Sequence, residues 1–155
     1  MWAFFLMIGC VLLFGIACDA ADGRSRKSLW DRVAQAEADG LPETSAALLG
    51  QIYDGACRDG ADVEALRALV KKILMESVTG GNHPEEKVRR LRAALPQAPA
   101  RIQPLLRVIL AQWYNHYYQR NRYRFLDRDA TAKLDEQDFT TWDLPRLFRE
   151  MDALY

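Results

Sequence analysis

The segment from Asp127 to Asp138 carries four aspartates at spacings that invite a test for calcium. An EF-hand loop sets oxygen ligands at alternating positions, with glycine at its sharp turn and a bidentate glutamate at its end. Counted from Asp127, the ligand positions fall on Asp127, Asp129, Thr131, the Lys133 carbonyl, Asp135 and Asp138, and Leu134 supplies the apolar position. Ala132 stands where the turn needs glycine, and Asp138 is shorter than the glutamate it would replace. The loop is also single, whereas EF-hands usually pair. Asp127, Asp129, Asp135 and Asp138 are therefore calcium candidates set against a plainer account. In that account the loop is solvated and acidic, and its aspartates cap helices or pair with Arg128 and Lys133. No metal and no cofactor is expected.

Other reactive side chains are sparse. The two histidines, His83 and His116, stand in a turn before Pro84 and among aromatics, without metal-ligand spacing around either. The chain contains no Gly-x-Ser-x-Gly elbow, no glycine-rich phosphate loop and no Cys-x-x-Cys pair. A chain without catalytic apparatus is the expectation, so not an enzyme. Cys57 sits in a helical pattern beside Tyr53 and Ala56, which suits a buried, inert thiol. Cys18 is different. Gly15-Ile16-Ala17-Cys18 loosely matches a bacterial lipobox, with small Ala17 before the cysteine but Gly15 where leucine is usual. Cys18 is thus a lipidation candidate, or simply a small residue near a cleavage site.

Between residues 101 and 128 six arginines face one acid, Asp127, and the run from Trp113 to Phe125 mixes aromatics with cations. Bases stack on such rings while arginine holds phosphate. Yet Trp113, Tyr114, Tyr117 and Tyr118 recur at helical spacing, which packing alone explains. No nucleic-acid partner is expected. The arginines are expected to pair with aspartates of the following loop and to stack on tyrosines.

The elements that position these residues follow from patterning. With 155 residues, 50% of them hydrophobic, the chain is long enough for one domain with a real core. Its 21 basic and 21 acidic residues cancel, which argues against a general polyanion binder. Trp2 to Ala17 is uninterrupted and apolar, shorter than the roughly 20 residues of a comfortable bilayer span. It suits residues 1–20 as a signal peptide or lipoprotein leader. No lysine or arginine precedes the run, while Arg24, Arg26 and Lys27 follow it, so an uncleaved anchor is the alternative. Membrane contact is expected only through this leader or a lipid anchor.

Residues 21–28 read as a polar linker and residues 29–155 as a helical domain. Ser28 is expected to cap a helix beginning at Leu29 that Gly40 stops. Pro42 opens a second helix, which ends at Gly60, and Asp62 caps a third. Gly80-Gly81-Asn82 breaks the chain, and Pro84-Glu85-Glu86 opens a fourth. Leu105 to Arg122 forms a fifth helix, Leu126 to Thr141 a polar loop, and Trp142 to Tyr155 a sixth helix capped by Asp143. No segment alternates long enough to make a strand. The fold class is all-α: antiparallel helical hairpins stacked as a bundle or a short TPR-like α-solenoid, preceded by an apolar leader helix. The apolar pattern Leu147, Phe148, Met151, Leu154 runs to the last residue, as in a fragment cut within a helix.

Certain residues also carry a family resemblance. They are Trp113, Tyr114, Tyr117, Tyr118, Gln119, Asn121, Arg122 and Tyr123, then Leu126-Asp127-Arg128, then Asp138-Phe139-x-Thr141-Trp142-Asp143-Leu144-x-Arg146-Leu147. In that order they resemble the N-terminal helical region of large bacterial alpha-2-macroglobulin family proteins. Gly40-Leu41-Pro42 and Ile52-Tyr53-x-x-Ala56 fit as well, so the resemblance spans about Leu29 to Tyr155. It implies export to the periplasm or cell envelope and membership of an endopeptidase inhibitor that traps proteases. The bait region and any thioester would lie downstream of this chain, so no inhibitory residue carries over. The implied partners are proteases, met through the full-length protein, and other domains of the same chain. A stand-alone periplasmic helical-repeat adaptor is the alternative. In either case Asn121-Arg122 and Thr141-Trp142-Asp143 are expected to be hydrogen-bonded anchors for the long loop between the last two helices.

Overall fold

In the computed structural model, residues 26–79, 83–126 and 135–155 are described. The apolar leader, Cys18, Asp127, Arg128, Asp129 and Thr131 lie outside them. All regular secondary structure among the described residues is helical. In chain order these are α1 (residues 26–38), α2 (Pro42–Arg58), α3 (Asp62–Thr79), α4 (Glu86–Ala94), α5 (Gln103–Arg120), α6 (Arg122–Leu126) and α7 (Leu144–Asp152). Short 3-10 turns occupy Leu95–Gln97 and Phe139–Thr141. None of the described helices is long and apolar enough to cross a membrane.

Two glycines end the first two helices in the same way. Gly40 has φ 70° and Gly60 has φ 68°, the left-handed conformation that side-chain-free residues adopt most cheaply. Leu41 N–H donates back to Ala36 O at 2.8 Å, and Ala61 N–H to Ala56 O at 2.8 Å. Gly40 and Gly60 donate to Glu37 O and Cys57 O at 3.2 and 3.3 Å, completing two Schellman turns that satisfy otherwise orphaned carbonyls. After the first turn Pro42 begins α2, where its missing N–H leaves nothing unpaired.

Helices α1, α2 and α3 meet around Val33, Ala36, Leu48, Leu49, Ile52 and Ala68, all buried. Polar contacts cover this layer. Arg26 pairs with Asp59 and with Glu64, Trp30 Nε1–H donates to Glu64 Oε1 at 2.8 Å, and the Arg67 guanidinium lies 4.5 Å from the Trp30 ring centre. Lys71 meets Glu37 at 2.8 Å. Tyr53 packs against this layer and against the next. Burial, helped by Cys57 one turn on, pushes its phenol up to about 12.

The second layer joins α3, α4, α5 and α7 around Leu69, Ile73, Val88, Leu91, Ile102, Leu106, Leu110 and Leu147. In this half α3 packs on α4, α4 on α5, and α5 on both α6 and α7.

Element boundaries depart from patterning at several places. Helix α1 already includes residues 26–28, so Ser28 is not its N-cap and these residues are helix, not linker; Arg26 is held there by Asp59 and Glu64. Asp62 is the first residue of α3 instead of its cap. Helix α5 takes in Gln103 and Pro104 and stops at Arg120, where Asn121 Nδ2–H donates to Tyr117 O at 2.9 Å and a separate short α6 follows. Phe139–Thr141 is a 3-10 turn with Phe139 buried, not part of a polar loop. Finally, α7 ends at Asp152, where Leu154 and Tyr155 N–H groups tighten onto Met151 and Asp152 carbonyls. A helix running through Tyr155 therefore does not stand.

The two kinds of glycine are separable by substitution. Gly60→Ala forces a left-handed alanine and is expected to destabilise the fold by about 1 kcal/mol. At Gly50, inside α2, an added Cβ would meet Lys72 Cε at an ordinary 3.9 Å. Gly50→Ala should therefore raise stability by roughly 0.5–1 kcal/mol through helix propensity. Urea unfolding midpoints of the two variants check both signs.

Candidate functional site

Of the residues of the resemblance, Tyr114, Tyr117, Phe139, Trp142 and Leu147 converge on one place, where α5 meets the segment 135–143 and α7, whereas Gln119, Arg122 and Tyr123 are exposed. Trp142 is 0% exposed, Tyr114 0% and Phe139 1%, so three large rings are wholly withdrawn from water. The rings pack edge to face: Tyr114 on Phe139 at 5.2 Å between centres and Tyr117 on Phe139 at 4.9 Å. Tyr114 stacks on Trp142 at 6.1 Å. Tyr118 bridges outward, 5.8 Å from Phe125 and 5.6 Å from Phe148. Each such pair contributes about 0.5–1.5 kcal/mol beyond the apolar area it buries. Trp113 is also buried and faces Lys87 instead, whose amine lies 5.4 Å from its ring centre.

A buried indole must place its N–H. Trp142 Nε1–H donates to Asp135 O at 2.9 Å. Thr141 Oγ1–H donates to Asp138 O at 2.8 Å and accepts from Asp135 N–H at 3.2 Å. Asp143 accepts from Arg146 N–H at 2.8 Å and so caps α7, with Pro145 in its first turn. Arg122 is exposed.

Helix α4 supplies Arg89 and Arg92, which sequence spacing did not suggest, and α7 supplies Arg146. Arg92 and Arg146 each hold a guanidinium 5.1 Å from the Trp142 ring centre. Arg92 also donates to Gln137 O at 3.3 Å and lies 4.0 Å from Glu150. Arg89 pairs with Asp138 at 3.0 Å. Of the six arginines between residues 101 and 128, Arg101 lies 3.8 Å from Asp62, on α3, and Arg107, Arg120, Arg122 and Arg124 are exposed. The signal available in sequence was the i, i+3 pair Arg89 and Arg92 on one side of α4, but its target lies 45 or more residues away.

Asp135 and Asp138, the calcium candidates within the described residues, serve the chain itself. Asp135 accepts from Gln137 N–H at 2.9 Å, and Asp138 Oδ1 accepts from Thr140 N–H, Thr140 Oγ1–H and Arg89. Burial favours the protonated form of Asp138, but the bonds from Arg89 and Thr140 outweigh it and its pKa is lowered. Among the described residues no three His, Cys, Asp or Glu side chains gather as a metal site. His116 is exposed, and His83 lies 3.4 Å from Glu85. Cys57 is half-buried and free.

One polar atom in the cluster is left over. Tyr114 Oη is buried without a hydrogen-bond partner among the described residues. Burial pushes this phenol up to about 12, with Arg92 pulling the other way and Glu150 adding to the rise. A groove of about 550 Å³ runs between α2, α3 and α4, lined by Ala46, Ala47, Gly50, Lys72, Glu76 and Arg90. Within it Glu76 is held by Arg90 at 3.1 Å and Lys72 at 3.8 Å, and Glu43 and Asp54 add two further carboxylates to its lining.

The arrangement can therefore hold two distant segments together and present grooves. Compared with protein-family models, curated proteins and solved structures, the chain matches none.

Two outcomes follow from this geometry. Trp142→Ala should lower stability by about 3–5 kcal/mol. Tyr114→Phe keeps the ring and removes an unpaired buried hydroxyl, which itself costs roughly 1–3 kcal/mol, so it should be neutral or stabilising. Thermal melting of both variants is the check. The second outcome concerns acid. Asp138 has a folded pKa below its unfolded one, so its contribution is present above the usual aspartate range and is lost as pH falls through the lowered value. The melting temperature of Asp138→Asn should fall less steeply on acidification through that range than that of the unaltered chain.

Proposed function

We propose that this chain is the non-catalytic, N-terminal helical docking module of a bacterial alpha-2-macroglobulin-like protease inhibitor. On this reading it is exported and held at the periplasm or cell envelope by its leader or by lipid on Cys18. Its hairpins stack as a bundle or short TPR-like solenoid. The observation that carries the proposal is convergence. Trp113, Tyr117, Tyr118, Asn121, Thr141, Trp142, Asp143 and Arg146, spread along the resemblance, meet at or beside one buried junction. A catalytic set would converge on an open cleft with a nucleophile or base. These residues converge instead on buried rings, caps and paired charges, as a set that locks a fold does. The helical stacking is supported by the reversal at Gly60, with α2 packed on α3, and by neighbour-on-neighbour packing through α4 and α5.

The division of labour follows from the residues. A rigid platform that places neighbouring domains needs a fixed junction, and the Trp142 cluster supplies one. Trapping of the protease belongs to parts of the protein outside this chain. A stand-alone helical-repeat adaptor is the second reading, and the groove between α2, α3 and α4 favours it.

The coding sequence downstream of codon 155 separates the two. The expected result is an open frame continuing into β-rich macroglobulin domains, with a full-length product that shields protein substrates from a broad-specificity protease. A stop codon after Tyr155, or a full-length product that leaves proteolysis unchanged, overturns the inhibitor assignment.

A further inference from the structure

We infer that the cleft between the end of α3, the start of α4 and the end of α5 binds an acidic peptide segment, whose carboxylate meets Lys87 and Arg120 while flanking apolar side chains lie along Met75 and Val78. The inference does not depend on the inhibitor assignment, since a peptide site suits either kind of docking protein.

The first observation is charge. Lys87 lies half-buried beside Arg120, and burial together with the Arg120 guanidinium lowers the Lys87 pKa. Both line the same cavity, and like charges on one wall favour an anion between them. Among the described residues neither has a carboxylate within ion-pair distance. The acids adjacent in sequence are engaged elsewhere, Glu85 with His83 at 3.4 Å and Glu86 with Arg90 at 2.9 Å. Among the described residues Arg26 is matched by Asp59 and Glu64, Lys71 by Glu37 and Arg90 by Glu76, whereas Lys87, like the half-buried Arg146, lies over an aromatic ring.

The second observation is shape. A cavity of about 380 Å³ opens beside the pair, lined by Leu74, Met75, Ser77, Val78, His83 and Pro84. A side lobe of about 100 Å³ continues from Lys87 and Arg120 to His116 and Tyr117. In the other direction Met75 and Val78 also wall a groove of about 450 Å³ that extends to Leu41 and Pro42. Leu41 and Val78 are 49% and 63% exposed, an apolar border beside a cationic corner. An acyl chain needs an enclosed apolar cavity to bury most of its surface. An open groove with polar Ser77 and paired Glu37 and Lys71 on its walls suits a peptide, which can point alternate side chains at wall and water. The carboxylate would gain charge-assisted bonds from a guanidinium and an ammonium whose repulsion it relieves.

The test begins with selection of a displayed library of random peptides on the immobilised full chain. Enriched peptides are then measured by fluorescence anisotropy. The expected result is enrichment of Asp or Glu beside Leu, Val or Ile, and affinity weakened at least about tenfold in the double variant Lys87→Ala, Arg120→Ala with unchanged helical circular dichroism. Arg107→Ala, an exposed arginine elsewhere on α5, should bind as the unaltered chain does. Should the double variant fail to fold, Arg120→Glu carries the same expectation, because that side chain is exposed. Enriched peptides without acids, or affinity indifferent to both variants, overturn the site. Vesicles of anionic phospholipid that bind through Lys87 and Arg120 while acidic peptides do not would overturn the peptide assignment.

Discussion

Trp142 sits where no water reaches, yet its indole nitrogen carries a proton that needs an acceptor. The Asp135 carbonyl, seven residues earlier, provides it at 2.9 Å. For that bond to form, the chain between them must coil tightly, and the 3-10 turn at Phe139–Thr141 is the coil. Its tightness points Phe139 inward onto Tyr114 and Tyr117. The same turn aims the Asp138 carboxylate at Arg89 and delivers Asp143 to the first turn of α7. Remove the indole and the reason for each of these positions goes with it.

Helix α4 shows how a short element takes its place in such a scheme. It has nine residues, too few to be stable alone in water. Val88 and Leu91 are buried on one side, while Arg89 and Arg92 reach the segment 135–143 and Arg90 reaches Glu76 on α3. Its cations thus clamp the helix between both halves of the chain. Isolated surface ion pairs contribute little, but Arg92 at once stacks on an aromatic ring, bonds a carbonyl and faces Glu150. The layer of α1, α2 and α3 connects to this junction through α3 and through Tyr53, which touches both cores.

Seen as a surface, the molecule has matched and unmatched regions. In the α2, α3 and α4 groove Glu76 is held by Arg90 and Lys72, whereas Lys87 and Arg120 share a cavity with no carboxylate partner among the described residues. A docking module of the kind proposed needs rigid internal junctions and a few places where the chain's own interactions stop short. The aromatic junction serves the first need, and the cationic corner beside an apolar groove serves the second.

The helical class, the two glycine-ended turns and the Asp143 cap were readable from the chain because each rests on neighbours within a few residues. A left-handed glycine before proline, or an aspartate before Pro145, acts locally whatever surrounds it. The aromatic spacing on α5 likewise marked a packed face. Other features could not be read so. Phe139 looked like part of a polar loop because its burial depends on Tyr114 and Tyr117 across space. The arginines expected to meet the aspartates were those nearest in sequence, yet Arg89 of α4 is the one that reaches Asp138, 49 residues away. Local order follows from side-chain spacing and backbone preference, which the sequence states outright. Which cation meets which carboxylate depends on how the helices pack, and only the tertiary structure decides that.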